Sequence, residues 1–207
     1  MKKIMFSDKY GLTKAVLDGR KTVTRRLIPQ SVLDSVDKFR VDYYNSTFDA
    51  ITFKECIELM LYVERNLKIP FHIQDEVTIA QSYMNCIIEN KSFLHKVYYP
   101  EFGIKGRAPR GWDNKMFVRA ELMPHRIKIT GIRVEQLQDI TDEDCLKEGL
   151  EFAKGGFYTG YNKETNLRTW LGNTPRESFA TLIDKVSGNG TWDSNPWVLC
   201  YEFELIR

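Results

Sequence analysis

"HRIKITGIRVEQL", residues 125–137, decides how this chain is read. Its apolar residues fall on odd positions at Ile127 and Ile129, then on even positions at Ile132 and Val134. A strand alternates with a period of two, so its apolar face cannot change phase without an extra residue. The pattern predicts one strand with a bulge near Thr130–Gly131. Bulges bend strands, and bending suits a closed barrel better than a flat sheet.

The neighbouring segments extend this reading. "PWVLCYEFELI" (196–206) predicts a long strand with Trp197, Leu199, Tyr201, Phe203 and Leu205 on one face. "KKIMF" (2–6) predicts a first strand, and "DEVTIAQSY" (75–83) another. Ser7 or Asp8 can cap a helix running to about Asp18, which Gly19 ends. "ITDEDCLKEG" (140–149) reads as a short helix capped by Thr141, stapled by Ile140 and Cys145, and stopped by Gly149. "TPRESFATLIDKVSG" (174–188) is the clearest helix, with Thr174 as cap, Pro175 first, Glu177 completing a capping box, and Phe179, Leu182, Ile183 and Val186 facing inward. Residues 29–72 read as a helical insertion, in which Thr52 and Glu55 form a capping box ahead of an apolar stripe. Much of 85–115 reads as loop, because it holds Gly103, Gly106, Gly111, Pro100 and Pro109. Strands without regular βα alternation predict a single α+β domain over residues 1–207, built around a barrel.

The 207 residues can bury a core as one domain. No apolar run is long enough to span a bilayer, so no membrane association is expected, and the start lacks a signal-peptide pattern. The expected setting is cytoplasmic. Cys56, Cys86, Cys145 and Cys200 are scattered without a paired spacing, so buried free thiols are expected, with no metal site and no cofactor. The net charge of +2 conceals strong segregation. Residues 1–30 hold eight Lys/Arg against two Asp, and 103–133 hold eight against two acids, whereas 135–151 hold seven acids and one lysine. Such segments either make a polarised surface or neutralise one another across the fold.

The sharpest question is set by "GRKTVTRRL" (19–27), with four cations and two hydroxyls in nine residues. A lysine acts as a base when its pKa falls, and Arg20, Arg25 and Arg26 push Lys21 that way. In a regular strand Lys21 and Thr24 point to opposite faces; they converge only if the chain turns or bulges as it leaves Gly19. A converged Lys–Thr pair can activate a hydroxyl nucleophile. A solvated basic strand end is the alternative. "GGFYTG" (155–160) lacks the Lys-Ser/Thr of a phosphate loop and reads as a surface loop.

Gly19, Lys21 and Arg26 also spell G-x-K-x-x-x-x-R, the signature of the ASCH domain family within the PUA-like superfamily. "QDEVTIAQSY" (74–83) resembles that family's G-D-x-L-x-V strand, with Gln74 in place of the glycine, and "ITGIRVEQLQDITDEDCLKEGL" (129–150) resembles its next strand and helix. The tail "GNGTWDSNPWVLCYEF" (188–203) is similar to ASCH-like proteins of bacteriophages and prophages. The resemblance leaves out 29–72 and much of 85–115. It implies a PUA-like β-barrel with flanking helices and a cleft that binds RNA or nucleotides. One branch consists of amidohydrolases that deacetylate N(4)-acetylcytidine, and matching by position implies Lys21, Thr24 and Glu148 as catalytic residues. Glu148 ends a short helix, where the dipole disfavours negative charge, as suits a carboxyl that holds or shuttles a proton.

Three functional expectations follow. The first is a nucleotide- or RNA-binding module whose basic cleft uses Gly19, Arg25, Arg26, Arg119 and Arg126, with Trp112 and Phe117 near Arg107 and Arg110 for stacking, while Trp192 and Trp197 pack in the core. The second is an amidohydrolase acting on a modified nucleoside through Lys21, Thr24 and Glu148. The third is a protein-binding role for residues 29–72.

Overall fold

The structure is a computed structural model of the chain. It describes residues 1–47, 49–63, 67–90, 110–153, 157–162 and 167–206. In chain order the strands are β1 (Lys3–Ile4), β2 (Val23–Leu27), β3 (Glu76–Ile79), β4 (Arg126–Gln136), β5 (Glu151–Ala153), β6 (Phe157–Asn162), β7 (Leu167–Gly172) and β8 (Trp197–Ile206). The α-helices are α1 (Leu12–Leu17), α2 (Gln30–Thr47), α3 (Phe53–Glu58), α4 (Tyr83–Glu89), α5 (Asp142–Lys147) and α6 (Pro175–Ser187). The class is α+β, as expected.

The main sheet runs β1-β3-β4-β8-β2, and a smaller sheet runs β5-β6-β7. Only the β1–β3 pairing is parallel within the main sheet. Along the β4–β8 ladder, Ile129 faces Phe203 and Gly131 faces Glu202, so Thr130 is the extra residue at the predicted position. The shift lets Ile127, Ile129, Ile132 and Val134 share a face with Leu199, Tyr201 and Phe203, and all of these are buried. Val198 and Cys200, on the other face of β8, are also buried.

The barrel does not close. Its two edges are β1 and β2, and among the described residues no ladder joins them. The physical reason lies in both edges. β1 is two residues long before the chain turns away at Ser7. Along β2, the Arg25 N–H donates to Glu148 Oε1 at 2.9 Å, and just before the strand Thr22 N–H donates to the Lys147 carbonyl at 3.0 Å. A side chain spans the gap instead: Arg26 Nη2 donates to the Met5 carbonyl at 2.6 Å.

Most caps fall where the residues place them. Thr52 and Glu55 form their box, and Thr141 and Thr174 cap α5 and α6. Three details differ. Asp8 does not cap α1, which starts after Gly11; its carboxylate takes Thr13 and Lys115. Glu177 reaches Asn173 N–H at 3.1 Å, so its side chain satisfies a donor one residue earlier than a capping box requires. Val186 is exposed at the end of α6. The strand read over 75–83 stops at Ile79, since Ser82 caps α4. Of the expected loop "GGFYTG", Phe157–Gly160 lies in β6, and 155–156 lie outside the described residues. Most of the expected loop over 85–115 lies outside them too.

Residues 29–72 carry α2, α3 and a π-turn over Leu59–Val63. Val36, Cys56, Ile57, Met60, Leu67 and Phe71 enter the main core, so this segment is part of the packing rather than an appendage.

Candidate active site

Gly19 adopts φ +76 at the end of α1, and its N–H bonds the Val16 carbonyl at 2.9 Å. A Cβ there would meet nothing within 4 Å, so glycine is needed for the backbone angle and not for space. The turn brings the Arg20 and Lys21 N–H groups onto the Ala15 carbonyl, each at 2.9 Å, and sends Lys21 inward before β2 begins. Gly149 does the matching work at the end of α5. Its φ is +102, and a Cβ would lie 3.1 Å from Ala15 Cβ and 3.4 Å from Lys21 Cβ. That close approach seats Glu148 against Lys21.

Lys21 Nζ donates to the Glu148 carbonyl at 2.9 Å and also to Glu148 Oε2. Glu148 Oε1 accepts from the Arg25 N–H at 2.9 Å and from Arg25 Nη1 at 3.3 Å. Arg25 Nε pairs with Glu135 at 2.6 Å, and its Nη2 with Asp144 at 2.8 Å. Arg133 closes the cluster from the solvent side, reaching Asp144 at 2.7 Å and Glu202 at 3.0 Å. Lys21, Arg25, Glu135, Asp144 and Glu148 are all buried. Buried charges persist only when paired and hydrogen-bonded, and here each has its partner.

The electrostatics follow. Burial lowers the pKa of the Lys21 ammonium; Glu148 opposes the shift, and Arg26 and Arg25 add to it. Arg20, expected to contribute, turns away to Asp18 and Glu151. Burial also works against the Arg25 charge, but the carboxylates of Glu148, Glu135 and Asp144 more than offset it and raise its pKa. Burial pushes the Asp144 carboxyl up, yet the bonds from Arg133 and Arg25 outweigh it and hold it below the usual carboxylate range. Glu148 itself lies between two cations and the Arg25 N–H.

A cavity of about 250 Å³ opens beside this pair, where the barrel fails to close. Lys21, Thr24, Arg25, Arg26 and Glu148 line one side; Phe6 and the end of α6 line the other. Thr24 pairs with Tyr201 and Arg25 with Cys200, so they sit on opposite faces of β2. Both border the cavity because β2 is an edge strand. Lys21, sent inward by the turn at Gly19, and Thr24 therefore border the same cavity. Arg26 lies over the Phe6 ring at 5.7 Å, and its Nε is buried without an acceptor.

Other expected ligand residues stand elsewhere. Gly19 shapes the turn without lining the cavity. Arg119 is exposed, with its N–H on the Tyr83 hydroxyl at 2.9 Å. Arg126 pairs with Glu76 at 3.5 Å near the far end of β4. Neither lines the cavity. Trp112 packs on the small cluster around Tyr83, Phe117 is exposed, and Arg107 lies outside the described residues. Trp192 and Trp197 pack against the core, as expected. A larger cavity, about 490 Å³, lies across α1 beside Gln81, Glu89 and His125, and Asp8, Thr13 and Lys14 also line it, but the Lys21–Glu148 pair does not. Size alone does not locate the chemistry.

Glu135, Asp144 and Arg133 were not singled out from the sequence. The acidic run 135–151 was its only signal, and a run does not say which carboxylates turn inward.

No protein-family model, curated protein or solved structure matches this chain. Among the described residues no helix is long and apolar enough to cross a membrane.

Proposed function

We propose that the protein is an amidohydrolase that removes an acyl group from an N-acylated cytosine nucleoside. The observation that carries this reading is the buried Lys21–Glu148 pair beside Thr24 in a cavity sized for a small molecule. The substrate class comes from the ASCH resemblance of the motif, and the chemistry from the residues. A neutral lysine has two N–H bonds, and the Glu148 carbonyl and carboxylate take both. Its lone pair is then what remains to accept a proton from Thr24. Thr24 Oγ attacks the acyl carbon as Lys21 takes the hydroxyl proton. The C–N bond breaks, and the amine leaves with that proton, returned by Lys21 or through Glu148. Water then cleaves the acyl ester by the same route in reverse. Arg26, with a buried donor lacking an acceptor, is the candidate for holding a ligand oxygen.

Nucleotide or RNA binding without chemistry is the second reading, and Arg26 is what favours it. Arg25 does not, because all three of its nitrogens are held by the protein's own carboxylates. Four buried free cysteines fit a reducing, cytoplasmic setting. A protein partner for residues 29–72 is a third proposal, and α2 offers Val41 and Tyr44 at its surface.

The test is turnover of a panel of N-acylated cytidines by wild type and Lys21→Ala, with single-stranded RNA binding measured beside it at low and high salt. Hydrolysis by wild type alone supports the enzyme. Absence of turnover, with RNA affinity that falls steeply as salt rises, supports the binding module instead.

A further inference from the structure

We propose that Arg25 is the positioning residue of this site: pinned by Glu135 and Asp144, it holds one carboxylate oxygen of Glu148 and leaves Lys21 only the other. The proposal rests on the reading of Lys21 as the base.

Three separate contacts fix the guanidinium, at 2.6 Å to Glu135, 2.8 Å to Asp144 and 3.3 Å to Glu148. Its side chain is 1% exposed and lies against the Phe179 ring at 6.0 Å. A planar fork held on three sides has one orientation, which a lysine at the same position cannot reproduce from a single point donor. Asp144 is itself held by Arg133, whose side chain is 45% exposed. The chain of contacts thus runs from solvent to the base: Arg133, Asp144, Arg25, Glu148, Lys21.

The consequence has a definite sign. The Arg25 charge disfavours the Lys21 ammonium directly. Its hold on Glu148 Oε1 also keeps that carboxylate from serving Lys21 with its full charge. Losing the fork releases Glu148 toward Lys21 and favours the ammonium, so Lys21 titrates at higher pH. A reaction that needs neutral Lys21 then loses rate below the new limb and recovers above it.

The deciding variant is Arg25→Lys, which keeps the charge and loses the fork; Arg25→Met loses both. The measurement is an NMR titration of Lys21 in protein carrying ¹³C-lysine, with the Lys21 signal assigned by its loss in Lys21→Arg. Positioning predicts an upward move in Arg25→Lys and a larger one in Arg25→Met. If Arg25→Met fails to fold, Arg25→Lys still decides. In turnover, Arg25→Lys lowers kcat roughly tenfold below the limb, with KM little changed and activity recovered at high pH. Lys21 unmoved in Arg25→Lys overturns the proposal, since charge alone would then account for Arg25. If Lys21 moves but wild type hydrolyses no acylated nucleoside, the positioning stands and the amidohydrolase reading falls. If wild type turns over and Lys21 does not move, the positioning falls alone.

Discussion

Two cation-bearing stretches of this molecule have opposite fates. Residues 19–27 put Lys21 and Arg25 out of solvent, among three carboxylates brought by β4 and α5. Residues 119–128 keep Arg119 and Arg126 at the surface, and Arg126 meets Glu76 across a half-solvated strand edge. Both stretches belong to or adjoin the same sheet. What differs is the element opposite: α5 and its following turn lie on the β2 edge, whereas the first residues of β4 face β3 and the end of β8. A cation in a sequence becomes a ligand site, a structural charge or a surface charge according to what the fold sets against it.

The contrast breaks most directly at the arginines. Arg25→Met removes the buried cation that Glu135, Asp144 and Glu148 share and should cost about 3–5 kcal/mol in urea unfolding. Arg126→Met should cost less than about 1 kcal/mol, since its pair is largely solvated. Equal losses would mean that burial does not separate the two stretches.

Acid pH sharpens the same point. The folded Asp144 pKa is lowered, so between that value and the ordinary one the unfolded chain binds more protons. Its contribution is therefore complete above the ordinary aspartate range and is lost as pH falls through the folded value. Asp144→Asn should flatten this part of the stability profile. A profile in Asp144→Asn as steep as that of wild type would contradict this.

Smaller effects come from the turns that aim each stretch. Gly19→Ala forces a side chain into φ +76 with no other obstacle, and should destabilise by about 1 kcal/mol. Gln74, before β3, already stands at φ +74. Gln74→Gly should stabilise by roughly 0.5–1 kcal/mol, read as a raised Tm. Glycine is thus the residue that this backbone angle favours at position 74.

Much of the fold was legible because its signals are local. The phase change from Ile129 to Ile132 specifies the Thr130 bulge, and Thr141, Gly149 and Thr174 mark helix ends by their own hydrogen-bonding and backbone preferences. Barrel closure was not legible. It depends on whether β1 and β2 find each other's backbone groups, and Glu148 and Lys147 reach the β2 side first. The candidate site was half legible: Lys21, Thr24 and Glu148, which border one cavity, follow from a spacing and a resemblance. The clamp of Glu135, Asp144 and Arg133 on Arg25 is assembled across more than a hundred residues of chain, and no local pattern announces it.

The central claim is that Thr24, next to the Lys21–Glu148 pair, is a nucleophile rather than a wall of a binding cleft. Single-turnover release of cytidine from N(4)-acetylcytidine by Thr24→Val, set against folded wild type, tests it most directly. A loss of about a thousandfold or more with the fold intact is predicted. Release at the wild-type rate from Thr24→Val would contradict it.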